Sequence, residues 1–99
     1  MESNPNEQIR AHIWIKGRVQ NVGFRAYVEY KALHIGVLGW VRNIGQDTVE
    51  TVAEGTRIQI DEFIEMVKQG PGASHVDEAR IEYEPLTDQL SGFTVKRSM

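Results

Sequence analysis

From Ile9 to Lys16 the chain alternates, with Ile9, Ala11, Ile13 and Ile15 apolar and Arg10, His12, Trp14 and Lys16 between them. A period of two is that of a strand with one face on a core. From Phe24 to Ile35 the period lengthens: Phe24, Val28, Ala32 and Ile35 fall at helical spacing, Glu29, Lys31 and His34 are polar, and Gly36 stands where a helix closes. Leu38, Trp40 and Val41 give Val37 to Asn43 strand character, and Thr48 to Glu54 follows the loop Ile44-Gly45-Gln46-Asp47 as a hairpin partner. Thr56 and Gln59 make a capping box ahead of Ile60, Phe63, Ile64 and Val67, which recur as one helical face until Gly70-Pro71-Gly72 stops the run. Ala79, Ile81 and Tyr83 then alternate with Arg80, Glu82 and Glu84, and a turn near Leu90-Ser91-Gly92 precedes a short Phe93, Val95 alternation.

The order βαββαβ plus a short terminal strand predicts an α+β fold of the ferredoxin-like, split βαβ kind: an antiparallel sheet with two helices on one face. A right-handed crossover through the first helix makes the first two strands parallel, with the third antiparallel between them. Their C-terminal ends therefore share one edge. The segment from Gly17 to Gly23 leaves the first strand at that edge, Arg25 opens the helix, and Asn43 ends the second strand about two strand spacings, or ~10 Å, to the side.

Composition narrows the functions this arrangement can serve. With 99 residues, 40% hydrophobic and 25% charged, the chain suffices for one two-layer core, so residues 9–99 are expected to form one domain behind a flexible polar arm, residues 1–8. A net charge of -3 offers no general basic field, which argues against nucleic acid and anionic membrane as partners. The first residues lack the apolar segment of a signal peptide, and no stretch has transmembrane length. Zero cysteines fit a cytoplasmic location and exclude disulfides, thiolate nucleophiles and cysteine metal clusters. His12, His34 and His75 fall in three elements without metal-ligand spacing and read as surface or interfacial side chains, so neither a metal nor another cofactor is expected. Size and charge favour a monomer.

The chemistry concentrates in Gly17-Arg18-Val19-Gln20-Asn21-Val22-Gly23-Phe24-Arg25. Loop N-H groups, the open N-H groups of a helix start and a guanidinium converge there, and each favours a tetrahedral oxyanion. The loop lacks the Lys-Ser/Thr of a nucleotide P-loop, and no G-x-G-x-x-G occurs. This segment resembles the acylphosphatase signature G-x-V-Q-G-V-x-F-R, and Gly39-Trp40-Val41-Arg42-Asn43 resembles that family's second signature, G-W-V-x-N. Two motifs in register, within a resemblance spanning Ile9 to Arg97, carry more weight than one.

The resemblance implies metal-independent hydrolysis of a small acyl phosphate to carboxylate and inorganic phosphate. Under it, Arg25 and the backbone of Gly17, Arg18, Val19, Gln20, Asn21, Val22 and Gly23 bind the phosphoryl group, and Asn43 orients the attacking water. Asn21 and Asp47 depart from the pattern, standing where it has glycine; both residue types tolerate positive φ. Asp47 would weaken anion binding if it pointed inward. Trp14 and Trp40 are expected over the open sheet face or its rim, within reach of an acyl group. Two other readings remain. One is a phosphate or carbamoyl-phosphate recognition domain like those fused to hydrogenase maturation factors, against which a chain of 99 residues with no fused partner argues. The other is a ferredoxin-like RNA-binding module, disfavoured because Thr48 to Glu54 holds no aromatic on which a base could stack.

Overall fold

A computed structural model describes residues 4–99. Strand β1 spans Gln8–Arg18, helix α1 Phe24–Ile35, β2 Leu38–Ile44, β3 Thr48–Thr56, α2 Arg57–Gln69, β4 His75–Glu84 and β5 Phe93–Val95. The sheet order is β4-β1-β3-β2-β5. Both β1 and β2 run antiparallel to the central β3, so they are parallel to each other, as the crossover requires. At the far edge, however, β5 pairs with β2 in parallel, which makes the sheet mixed rather than wholly antiparallel. Phe93 drives that pairing. It is buried at the sheet edge with its ring centroid 5.9 Å from that of Phe63 on α2.

One face of the sheet and both helices enclose the core. Ala11, Ile13 and Ile15 from β1, Val41 from β2 and Val49 and Ala53 from β3 meet Val28 and Ala32 of α1 and Ile60, Phe63 and Val67 of α2. Each large side chain buried this way stabilises the fold by roughly 1.5–3 kcal/mol before entropy is counted. The helix ends are built as the sequence suggests. Gly36 takes a left-handed conformation with its N-H on the Ala32 carbonyl, and Thr56 and Gln59 exchange both bonds of the capping box. Gln59 Nε2 also donates to the Ile35 carbonyl, fastening the start of α2 to the end of α1.

The N-terminal segment is more tied than a frayed arm. Gln8 already belongs to β1, and the Glu7 and Pro5 carbonyls accept from the Arg57 and Ile58 N-H groups, satisfying open donors of the first turn of α2. Of the expected arm, Met1 to Ser3 lie outside the described residues.

The sheet face opposite the helices carries a charged network. Glu50 and Glu54 of β3 are only 5% and 6% exposed. Arg10 donates Nη1 to Glu54 and Nε to Glu84, and Arg42 donates Nε to Glu50 at 2.6 Å. His12 is not a bystander on the surface: its two ring nitrogens lie 2.6 Å from Glu50 and 2.8 Å from Glu84, and its ring stacks on Trp14 at 3.9 Å. Long side chains lean across this face, so the central strand is covered on both sides.

Candidate active site

Between β1 and α1 the five residues Val19 to Gly23 turn the chain through the left-handed region twice, at Asn21 (φ 62) and Gly23 (φ 78). Asn21 thus takes up the backbone conformation that the glycine of the pattern would hold, and it does so at low cost because asparagine tolerates that region. Gly23 is the N-cap of α1 and supplies no side-chain hydrogen bond to the helix start. Among the described residues, no backbone N-H from Val19 to Ala26 donates to a protein acceptor. A run of unpaired donors around a left-handed turn and a helix start is a site for an oxyanion.

The preceding residues have other tasks. Gly17 and Arg18 belong to β1, where Gly17 sits at a register shift against β4 and Arg18 pairs with His75. The Gly17 N-H donates to the Asp47 carbonyl at 3.0 Å, and a Cβ at this position, φ +144, would collide with the His75 carbonyl. Close strand packing therefore explains this glycine. Val19 anchors the loop with a side chain in the core. Gln20 braces it from outside, Nε2 donating to the carbonyls of Ile44 at 3.1 Å and Thr48 at 2.9 Å. The loop is thereby fastened to the β2–β3 turn, at the end of the strand that carries Asn43.

Phe24, buried at the head of α1, plants the helix against the core, and the next residue, Arg25, emerges half-buried beside the loop. Its Nη1 donates to Ser98 Oγ at 3.5 Å, a long contact, and it pairs with no carboxylate among the described residues. Asn43 lies on the same strand face as the core residue Val41 but one step further, past the end of the apolar packing. Its main-chain carbonyl accepts from the Met99 N-H at 3.0 Å. Asn43 is 8% exposed, and its Oδ1 has no hydrogen-bond partner among the described residues. A buried amide oxygen without a donor is uncommon and calls for one.

These side chains open onto one cavity of about 300 Å³. Of the residues expected at the site, Val19, Asn21, Gly23, Arg25 and Asn43 line it. Gly17, Arg18, Gln20 and Val22 do not. Four further residues, Phe24, Ala26, Glu29 and Val95, complete the wall. Glu29 had a signal in the sequence, since position i+4 from Arg25 shares its helix face; Val95 had none before the parallel pairing of β5 was known. Trp14 and Trp40 stand on the opposite face of the sheet, Trp14 under the Arg80 guanidinium and Trp40 between Arg42 and Lys96. Asp47 is exposed, bonded to Thr48 Oγ1, and has no positive φ; Gly45 (φ 60) makes that turn. Among the described residues no group of three His, Asp or Glu side chains is placed to hold a metal ion, and no helix is long and apolar enough to cross a membrane.

The arrangement can bind a small oxyanion at the loop and hold a polar molecule at Asn43. Comparison with known proteins gives that geometry a family. The family model for acylphosphatase matches residues 11–95. An acylphosphatase of Synechococcus is 44% identical over 80 residues, covering 81% of this chain and 85% of its own. The structure of an acylphosphatase from Coxiella burnetii superposes with a TM-score of 0.86 at 32% identity, over 97% of this chain and all of the other. Full-length HypF, in its phosphate- and nucleotide-bound form, matches at TM-score 0.84 and 26% identity over 93% of this chain but only 12% of its own length. With this fold, this cavity and these likenesses, the chain belongs to the acylphosphatase family of enzymes.

Proposed function

We propose that the cavity between the Val19–Gly23 loop and Asn43 is where an acyl phosphate is hydrolysed, with Arg25 as the phosphoryl ligand and Asn43 as the residue that holds the water. The observation that carries this reading is that Asn43, buried and with its Oδ1 unpartnered, lines the same cavity as the half-buried Arg25. The loop and helix-start N-H groups and the guanidinium bind the phosphoryl oxygens. Asn43 Oδ1 accepts a hydrogen bond from water and aligns its oxygen for attack on phosphorus. As the O–P bond to water forms, the bond from phosphorus to the acyl oxygen breaks and its electron pair leaves with the carboxylate. A carboxylate is a weak base, so no general acid is required to expel it. The water's proton passes to a phosphoryl oxygen, and the products are a carboxylic acid anion and inorganic phosphate. Catalysis is then positioning and charge stabilisation, which suits the loose transition state of phosphoryl transfer.

Purified protein mixed with benzoyl phosphate without added metal, followed by loss of the acyl phosphate, tests the assignment. Wild type turns over; Arg25→Gln loses activity together with calorimetrically measured affinity for inorganic phosphate; Asn43→Ala keeps phosphate affinity and loses kcat by about 10²–10³, the usual effect of removing one positioned hydrogen-bonding group. An active Asn43→Ala refutes the water assignment. Retained phosphate binding with no turnover by wild type supports instead a recognition domain, the reading that the likeness to HypF keeps open.

A further inference from the structure

Glu29 is a carboxylate inside a cavity proposed above to take a phosphate dianion, and it sits where the mechanism has no use for it. It follows Arg25 by one helical turn, so the two side chains rise from the same face with Cβ atoms about 5–6 Å apart. They form no ion pair within 4.0 Å, and Glu29 pairs with no other cation among the described residues. It is half-buried. Once the phosphoryl group occupies the loop and Arg25 and the water occupies Asn43, the wall that remains for the acyl group is the buried Phe24 at the base with Ala26 and Glu29 of α1 and Val95 of β5. A phenyl ring, a methyl group and an isopropyl group give that wall no charge preference. Glu29 gives it one.

We propose that Glu29 determines the charge class of acyl group this enzyme accepts, disfavouring acyl phosphates whose acyl part carries a second anionic group and favouring neutral and, above all, cationic ones. This rests on the reading of Arg25 as the phosphoryl ligand, because that assignment is what leaves the Ala26, Glu29 and Val95 wall to the acyl end. Two unit charges about 7 Å apart at an effective dielectric of about 40 change an equilibrium roughly sevenfold. A cationic acyl group gains by that factor where an anionic one loses by it, so the two diverge by about fiftyfold through this one carboxylate. The phosphoryl group itself also meets the repulsion, which its N-H and guanidinium ligands outweigh.

The test uses three benzoyl phosphates, unsubstituted, with a para-carboxylate and with a para-trimethylammoniomethyl group, assayed for kcat/KM with wild type and Glu29→Gln. Glutamine keeps the length and helix propensity of glutamate, so the fold survives the change. Glu29→Gln is expected to lower the ratio of cationic to anionic kcat/KM by at least tenfold, through KM, with the effect shrinking as salt is added. A ratio that stays within twofold overturns the proposal. Loss of kcat on all three substrates also overturns it, since that would make Glu29 a proton acceptor for the attacking water. Arg25→Gln, measured alongside for direct binding of inorganic phosphate by calorimetry, separates the two readings: retained affinity there refutes the phosphoryl assignment whatever the Glu29 ratio does.

Discussion

Glu54 offers a quantitative test of the open-face network. Its Oε2 alone accepts three hydrogen bonds, from Arg10 Nη1 at 2.8 Å and from the Thr87 N-H and Oγ1 at 3.1 Å each, with the side chain 7% exposed. Burial opposes its charge, but the bonds from Arg10 and Thr87 outweigh that and hold the carboxyl below its ordinary value. Glu84 follows the same logic: burial works against the charge, and His12 and Arg10 overcome it. Truncation by Glu54→Ala removes all three bonds and strands a guanidinium that keeps only Glu84. A charge left without one buried partner costs about 3–5 kcal/mol, and the retained Glu84 bond and residual exposure reduce this to about 2–3 kcal/mol. In Glu54→Gln the amide oxygen can accept the same three bonds without charge, so the loss falls to about 1–2 kcal/mol.

The pH dependence then separates charge from shape. Both folded-state carboxyls are depressed, so their contribution is complete above the ordinary glutamate value near 4.3 and is lost as pH falls through the lowered folded values. Urea unfolding followed by tryptophan fluorescence between pH 7 and pH 2 should show wild-type stability falling on the acid limb. Glu54→Gln has one fewer proton to take up, so its acid limb is shallower and the two curves converge at low pH. Parallel curves, or a Gln variant as stable as wild type at pH 7 while Ala loses stability, would show that Glu54 acts by filling space and refute the charge argument.

Two further substitutions probe the loop. Asn21→Gly keeps the left-handed backbone without a side chain, so inhibition by inorganic phosphate should stay within about twofold or tighten, with stability changed by less than about 1 kcal/mol; clear weakening would make the Asn21 amide a phosphate ligand. Gly17→Ala, whose Cβ meets the His75 carbonyl at a positive φ, should cost about 2–4 kcal/mol in urea unfolding while the folded fraction keeps its KM; a stable variant with raised KM would return Gly17 to the anion site.

Much of this fold was legible because each period has one physical cause. The alternation in β1 and the helical spacing in α2 survive in the structure as the residues that are buried, since apolar side chains at those intervals have only one face on which to meet. What escaped had non-local causes. The first part of β4, His75 to Glu78, is polar because it is an edge strand, and its pairing with β1 rather than its pattern makes it a strand. The burial of Glu50 and Glu54 in β3 has no local signal, since Arg10 and His12, from the far end of the chain, cover them. At the site, Asn21, Arg25 and Asn43 could be placed because turn geometry, helix start and strand end are local facts. Gly17 could not be separated from the cradle, because its reason is a carbonyl from β4, and Glu29 and Val95 enter only when helix and edge strand are set side by side.

The two faces of the sheet treat charge in opposite ways, and that contrast explains how an acidic chain can serve an anionic substrate. On the open face Arg10 and Arg42 are matched by Glu50, Glu54 and Glu84 at distances of 2.6 to 3.0 Å, so the guanidiniums there are spoken for and offer little to an anion. On the helix-covered side Arg25 is half-buried without a carboxylate partner among the described residues, beside backbone donors that lack acceptors. On the reading proposed above, an oxyanion at that point satisfies the guanidinium and the N-H groups together. Because those partners act over hydrogen-bond distances, the net charge of -3 is largely screened from the event. Under the assignments proposed above, selectivity by charge falls to the charged side chains of the cavity wall, Arg25 and Glu29.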